Sequence, residues 1–476
     1  MVFNDRGATL TRGNELLSRG RMEYDYSIRW LSDRARGRIV PGRERIVELL
    51  RRLGNPQVGL RGIHVVGTNG KGSTCAFAVA ALAADFHRVG SMPSPHLHDY
   101  AERVRVGGRP LTRPQFARLM TEVRYEADPM GSGEDAPTEF EVLTAAALLH
   151  FRNVGVDCVV IEAGMGGRDD ATSVLNLDVK ILTNVALDHE AYLGDSVEKI
   201  AENKVGIVRA GDDLIVGDLE PKALAAVRRQ ISAVGDVALS RLGEEVTVRR
   251  TDDGLRICTR QGLRFLPRPA LRGEYQYGNL ALAVAGVDAL AMRLGASPPL
   301  EKTWRKVVES IQWPGRFEIE KDAHIGGWSG TVIFDGAHNP HAVAALMTQM
   351  EHLASDDLTV VFGAMRDKNI AEMIGLIPAS WSIVFTSFEA GGRAASAAEL
   401  RDSCPERQQT YLADDPWVAL EEAANLAGSA GSILVLGSLA LIGLAREIVG
   451  GRAARDPGRR RLSMPSSSRK LRLKAQ

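Results

Sequence analysis

Cysteine is scarce in this chain. Its 476 residues include only Cys75, Cys158, Cys258 and Cys404, with no C-x-x-C pair. A disulfide scaffold and a zinc ribbon are therefore excluded, and a reducing cytoplasm is the expected location. Cys158 lies within an apolar run and reads as a small core residue. Long apolar runs are also missing: no stretch approaches the ~18 uninterrupted apolar residues of a membrane span. The polar first twenty-one residues lack the apolar core of a signal peptide. Net charge is absent overall, yet nine Lys or Arg against one Asp leave +8 between Gly451 and Gln476, so the preceding residues carry −8. An acidic body argues against a nucleic-acid surface, and neither a nucleic-acid nor a membrane partner is expected. The basic stretch, with Arg459–Arg461 and Ser466–Ser468, reads as a solvated, disordered tail.

What remains is the composition of a soluble globular protein, 45% hydrophobic and 25% charged, long enough for two or three domains. Residues 63–74, Ile-His-Val-Val-Gly-Thr-Asn-Gly-Lys-Gly-Ser-Thr, carry the clearest chemistry. A short β-branched run ends in a glycine-rich turn, and an alanine-rich helix (Cys75 to Ala84) follows. That order aims backbone N–H groups and a helix N-terminus at an anion. Gly67, Gly70 and Gly72 allow close approach, Lys71 supplies a point charge, and a hydroxyl of Ser73 or Thr74 can reach a phosphate-bound Mg²⁺. The turn thus points to nucleotide-phosphate binding.

Strand-length apolar runs alternate with helical patterns, which predicts an α/β fold with a mainly parallel sheet. Strands are expected at Ile63–Val66, Cys158–Glu162, Val179–Thr183, Leu214–Val216, Val332–Phe334, Leu358–Phe362, Ser382–Thr386 and Ile433–Leu436. Helices are expected at Arg43–Leu53, Glu141–Phe151, Gly278–Arg293, His341–His352 and Trp417–Leu426. Val246–Leu266 reads as a β-hairpin turning at Asp252-Asp253-Gly254. Trp313-Pro314-Gly315-Arg316 breaks the pattern, which divides the chain into residues 1–312 (1–22 flexible), 313–450 and the tail 451–476.

Ligands of open parallel sheets gather at strand carboxyl ends. Three polar groups fall there: Glu162, Asp188-His189, and Asp335-Gly-Ala-His338-Asn339-Pro340. A buried strand-end carboxylate such as Glu162 is costly unless it meets a cation or water, and beside a triphosphate Mg²⁺ is the natural partner. Taken alone, His189 is unspecific, and Lys204 in Glu-Asn-Lys-Val-Gly-Ile reads as an exposed helical lysine.

From about Pro41 to Gly450 the chain resembles the folylpolyglutamate synthase/dihydrofolate synthase family of the Mur-ligase superfamily. The resemblance rests on Pro-Gly-x-Glu-Arg-Ile (41–46), Leu-Gly-Asn-Pro-Gln (53–57), Gly-Thr-Asn-Gly-Lys-Gly-Ser (67–73) and Ser-Pro-His-Leu (94–97). Glu-Arg-Val-Arg-Val (102–106), Thr-Glu-Phe-Glu (138–141), Glu-Ala-Gly-Met-Gly-Gly-Arg (162–168) and Asp-Ala-Thr (170–172) continue it. Leu-Asp-His (187–189), Lys-Val-Gly-Ile (204–207), Pro-Gly-Arg (314–316) and Asp-Gly-Ala-His-Asn-Pro (335–340) complete it.

The resemblance implies a P-loop N-terminal domain followed by a smaller Rossmann-like domain. It assigns ATP contacts to Thr68, Asn69, Gly70, Lys71, Gly72, Ser73 and Thr74 of the loop, and to Asn279, Arg316 and Asp335. Ser94 and Glu162 would ligate one Mg²⁺ and His189 a second, with a carbamylated Lys204 helping; Lys71, Lys204 and His189 form the implied catalytic set. Gly42, Arg45, Thr138, Phe140, Glu141, Asp169, Asp170, Ala171 and His338 are assigned to the substrate. The implied reaction joins L-glutamate to dihydropteroate or a reduced folate at the expense of ATP, through an acyl phosphate, in a monomer.

Some positions depart from the family pattern. Arg43 brings charge near the expected pterin pocket, Pro93 stands where Thr is commoner before Ser-Pro-His, Asp169 and Ser173 replace Leu and Asn, and Asn369 ends what is usually Asp-Lys-Asp. Two other readings stay open: a paralogue joining an amino acid to a non-folate carboxylate, and a nucleotide-binding module without ligation.

Overall fold

The computed structural model describes residues 23–34, 40, 42–85, 88–131, 133–351, 358–429 and 431–451. The expectations for residues 1–22, for Pro41 and for the basic stretch beyond Gly451 lie outside the described residues.

The strand β1 (Gly62–Val66) is buried along its whole length. Helices cover both faces of its sheet, so a continuous apolar run is what this position demands. It pairs in parallel with β5 (Cys158–Glu162) on one side and β6 (Val179–Leu182) on the other. β2 (Val89–Met92) extends the sheet beyond β5, followed by the antiparallel pieces β3 (Arg105–Val106) and β4 (Arg109–Pro110). β7 (Asp213–Val216) and β8 (Ala238–Arg241) complete the other edge, making eight strands. Because β5 and β6 flank β1, the loops leaving all three emerge side by side at one carboxyl edge. That juxtaposition builds the site.

One face of this sheet packs on the helices Lys71–Asp85, Tyr275–Arg293 and Glu301–Ser310. The opposite face packs on Arg113–Ala127 and Glu139–Val154. Thr138 starts the latter helix through a reciprocal capping box with Glu141, and Gly155 in the left-handed conformation stops it.

The second lobe is a six-stranded sheet built from β12 (Glu318–Ile325), β13 (Trp328–Phe334), β14 (Leu358–Phe362), β15 (Ser382–Thr386), β16 (Thr410–Ala413) and β17 (Ser432–Leu436). Its order is β12-β13-β17-β14-β15-β16, parallel except for the edge strand β12. The expected break at Trp313–Arg316 falls between the helix Glu301–Ser310 and β12.

The expected hairpin at Val246–Leu266 is a correction. It is a three-stranded antiparallel sheet of β9 (Thr247–Thr251), β10 (Gly254–Thr259) and β11 (Gly262–Leu266). A second turn at Arg260-Gln261 adds the third strand. Arg264 points inward, where its Nη2 pairs with Asp288 Oδ1 at 2.7 Å. Asp288 is fully buried and also accepts from Thr259 Oγ1 at 2.8 Å. Burial pushes the Asp288 carboxyl up to about 6, against the pull of Arg264. Removing one partner strands the other as a buried charge, so Asp288→Ala is expected to lower unfolding free energy by about 3 kcal/mol. Denaturant unfolding checks this; a loss near zero would mean that Arg264 finds water in the variant.

Candidate active site

The loop after β1 can be formed only by glycine at its first position. Gly67 has φ +150°, and a Cβ there would lie 1.8 Å from Thr183 Oγ1. Thr183, at the end of β6, donates to Asn69 O at 2.6 Å, and Asn184 Oδ1 accepts from Asn69 N at 2.8 Å. Thr68 Oγ1 meets Ala186 through both its N–H and its carbonyl. The end of β6 thus holds the loop in shape before any ligand arrives. Lys71 curls over the loop and donates to Gly67 O and Thr68 O, each at 3.0 Å. Burial lowers its proton affinity, an effect that the charges of Glu162 and Asp188 oppose.

Glu162, 3% exposed, closes β5 and accepts from Ser94 N at 3.1 Å. Burial raises its pKa, while Lys71 and then Arg316 and Arg103 favour the anion. Ser94 Oγ in turn accepts from Arg103 at 3.1 Å. Glu162 therefore reaches the cleft with spare acceptor capacity and cations around it. No group of three His, Cys, Asp or Glu that could hold a metal forms among the described residues. One carboxylate and a hydroxyl suit Mg²⁺, which takes few protein ligands and completes its shell with phosphate and water.

Lys204 is a second correction. Instead of facing solvent it is 3% exposed, and its Nζ donates to Gly67 O at 2.9 Å. Burial, with help from the neighbouring Lys71 charge, pushes its pKa down to about 7. Local sequence could not reveal this, because the helix Val197–Val205 is covered only when it docks beneath the loop.

His189 sits in the left-handed region at φ +52°. Burial lowers its pKa, and the Lys368 ammonium, 3.3 Å from its Nε2, adds to that. The preceding Asp188 bridges the lobes: it accepts from Lys368 Nζ at 2.6 Å and from Asn339 Nδ2 at 3.1 Å. Burial pushes Asp188 up, but Lys368, His189 and His338 outweigh it and hold the carboxyl well below the usual range. Asn339 also exchanges amide hydrogen bonds with Asn69, at 3.0 and 3.1 Å. Sequence reading passed over this bridge. Asp188, Asn339 and Lys368 stood inside quoted motifs, but nothing local showed that they meet across 151 and 180 residues of chain.

From the second lobe, Asp335 closes β13 and accepts from Phe317 N and Ala337 N, both at 2.8 Å. Burial raises its pKa against the nearby Arg316. Burial likewise drives His338 down to about 4. Thr68, Asn69, Gly70, Lys71, Gly72, Ser73, Ser94, Glu162, His189, Lys204, Asn279, Arg316, Asp335 and His338 line one cleft of about 530 Å³ between the lobes. Thr74 does not line it; it is buried under the loop, and its hydroxyl has no partner.

The other residues assigned to substrate do not line this cleft. Arg45 grips Glu141 with two contacts of 3.1 Å, and Glu141 holds Thr138 N at 2.7 Å. Phe140 lies against Gly164, where a Cβ would come within 2.6 Å of its ring. Asp170 is buried, accepts from Met165 N at 2.8 Å and starts the short turn Ala171–Val174. Gly42 has φ +118° and precedes the helix that carries Arg45. Asp169 and Arg43 are exposed, so neither departure forces a charge into the interior.

Residues 65–287 match the Mur ligase middle domain, and residues 315–439 match the Mur ligase glutamate ligase domain. The chain is 30% identical over 429 residues to the Bacillus subtilis dihydrofolate synthase/folylpolyglutamate synthase, covering 88% of this chain and 97% of that protein. It is 34% identical over 437 residues to a probable bifunctional folylpolyglutamate synthase/dihydropteroate synthase of Haloferax volcanii, of which 89% of this chain spans only half the length. Among solved structures, Mycobacterium tuberculosis folylpolyglutamate synthase complexed with ADP superposes with TM-score 0.80 at 29% identity, covering 90% of this chain and 99% of that one. Escherichia coli FolC in complex with DHPP and ADP gives 0.77 at 30% identity, covering 90% and 98%.

Proposed function

The chain belongs to the folylpolyglutamate synthase/dihydrofolate synthase family of Mur ligases, and we propose that it joins L-glutamate to dihydropteroate, to a reduced folate, or to both, at the expense of ATP. One observation carries the reading. The phosphate loop, a buried strand-end carboxylate, a buried lysine of lowered pKa, and a histidine–aspartate pair meet in a single cleft between two lobes.

In this reading the loop N–H groups and Lys71 receive the β- and γ-phosphates, with Asn279, Arg316 and Asp335 around the nucleotide. Glu162 and Ser94 would hold one Mg²⁺ and His189 a second, and magnesium bound there neutralises phosphate charge. Lys204, half unprotonated near pH 7, is the amine that carbon dioxide converts to an anionic carbamate. The substrate carboxylate oxygen attacks the γ-phosphorus and ADP leaves, giving an acyl phosphate. The glutamate amine then attacks the acyl carbon and loses a proton, and phosphate departs as the amide forms.

The residues act mainly by alignment and charge complementarity, which supply most of the rate in phosphoryl transfer. The contacts of Asp188 and Asn69 with the second lobe keep water from the acyl phosphate. Arg45, Thr138, Phe140, Glu141 and Asp170 support the pterin in this reading. A monomer in the cytoplasm is part of the proposal. Among the described residues, no helix is long and apolar enough to cross a membrane.

The test is purified protein with ATP, Mg²⁺, L-glutamate and either dihydropteroate or tetrahydrofolate, read by phosphate release and by the product mass. A gain of one glutamyl residue is expected. If no pterin is turned over but another carboxylate is, the ligase chemistry stands and the acceptor is reassigned.

A further inference from the structure

A second cavity, of about 730 Å³, opens between the phosphate-loop helix and the helix Glu301–Ser310. Among the described residues it shares no lining side chain with the cleft. Val160 of the sheet is its floor, on the face opposite Phe140. Ala76, Ala80 and Ala83 leave the space open, since each carries only a methyl group. Trp313 closes the inner end. Its Nε1 lies 3.1 Å from the point where a Cβ on Gly72 would sit, so the indole walls the cavity off from the phosphate loop. The ligase reaction proposed above uses none of this space.

Its volume falls within the range of small-molecule sites, which are mostly apolar with a few placed polar groups. The charged groups here are all cations. Arg105, Lys302 and Lys306 line the cavity, and no Asp or Glu does among the described residues. Lys302 and Lys306 stand one helical turn apart, a spacing at which like charges weaken a helix. The same helix pairs Glu301 with Arg305 at 3.1 Å, yet neither lysine has an ion pair among the described residues. Arg105 lies 5.2 Å over the Trp313 ring. The carboxylate beside it, Glu102, is 3.7 Å away and already accepts from Leu97 N, His98 N and Asp99 N. Three cations therefore rim an apolar space with little negative charge to offset them.

We propose that this cavity is a second ligand site, separate from the reaction, which takes an organic anion with an apolar or aromatic body. The anionic group, a carboxylate, sulfonate or phosphate ester, meets Arg105, Lys302 and Lys306. The body lies on Ala80, Val160 and Val307. An inorganic anion would leave that apolar floor wet, and a neutral body would leave the cations unmatched. A ligand with both parts answers both sets of side chains.

The test uses two fluorescent probes that share a body and differ in charge, 1-anilinonaphthalene-8-sulfonate and the neutral N-phenyl-1-naphthylamine. Saturating ADP is present to occupy the cleft. Wild type should bind one sulfonate probe per chain. Lys302→Ala/Lys306→Ala changes two exposed positions outside the cleft, and the melting temperature should stay within a few degrees of wild type. Losing two exposed pairs, each worth a few-fold, should weaken the sulfonate about ten-fold and leave the neutral probe within about two-fold. Ala80→Phe fills the space and should weaken both probes about ten-fold or more. No sulfonate binding to wild type, an unchanged sulfonate affinity in the lysine variant, or an equal loss for both probes there overturns the site. So does a folded Ala80→Phe protein that binds both as wild type does; if that variant does not fold, the lysine comparison decides alone. None of the changed residues lines the cleft, so failure of the ligase reading would leave this result standing.

Discussion

Lys71→Ala is expected to lower kcat about 10³-fold, the scale of losing a preorganised charge aimed at the transition state. The melting temperature should stay within a few degrees of wild type. Two features set this contrast. The ammonium lies against two loop carbonyls, one of which also accepts from Lys204, and burial disfavours its charged form. Its removal would relieve a desolvation cost in the fold while taking a cation from the proposed phosphate site. Phosphate release and thermal unfolding on the same preparation separate the two effects. A rate near wild type would refute the phosphate-cradle reading.

The second large effect belongs to Lys204. Its alanine variant should be inactive, and formate or acetate at tens of millimolar should restore part of the rate by placing a carboxylate in the vacated space. The reasoning starts from the pKa of about 7. Carbon dioxide attacks only the neutral amine. An ordinary lysine offers about one neutral amine in a few thousand at pH 7, whereas this one offers roughly half. Wild-type activity should then rise with pH between about 6 and 8 and fall when bicarbonate is stripped from the buffer. The alanine variant should ignore bicarbonate. If small carboxylates give no rescue and bicarbonate has no effect on wild type, the carbamate is discarded and Lys204 stays an amine that hydrogen-bonds Gly67.

How much of this was legible depended on how local the cause was. The strands Cys158–Glu162, Leu358–Phe362 and Ser382–Thr386 stand as expected from their apolar, β-branched runs. The helix expected from Cys75 starts at Lys71, because the glycine turn delivers Lys71 directly into the first helical turn. Val89–Met92 was missed: Val-Gly-Ser-Met has no strand pattern and is held by its neighbours, β5 in parallel and β3 in antiparallel. β12 was missed because an exposed edge strand can carry Glu318, Glu320, Lys321 and Asp322 without cost.

In the site, the phosphate loop announced itself because glycine spacing encodes backbone geometry. The burial of Lys204 and the partnership of Asp188 with Lys368 did not, since both arise from docking between distant segments. The family resemblance placed Lys204 in the site before any local signal could, and the coordinates supply the physical reason.

The paired amides of Asn69 and Asn339 make one residue answer to two demands. Asn69 shapes the phosphate loop and also seats the second lobe, so lobe seating and nucleotide affinity form a single thermodynamic cycle. Whatever factor a nucleotide gains from a seated lobe, the lobe gains from the nucleotide. A nucleotide that favours the seated lobe would thereby hold together two asparagines that lie 270 residues apart in the chain.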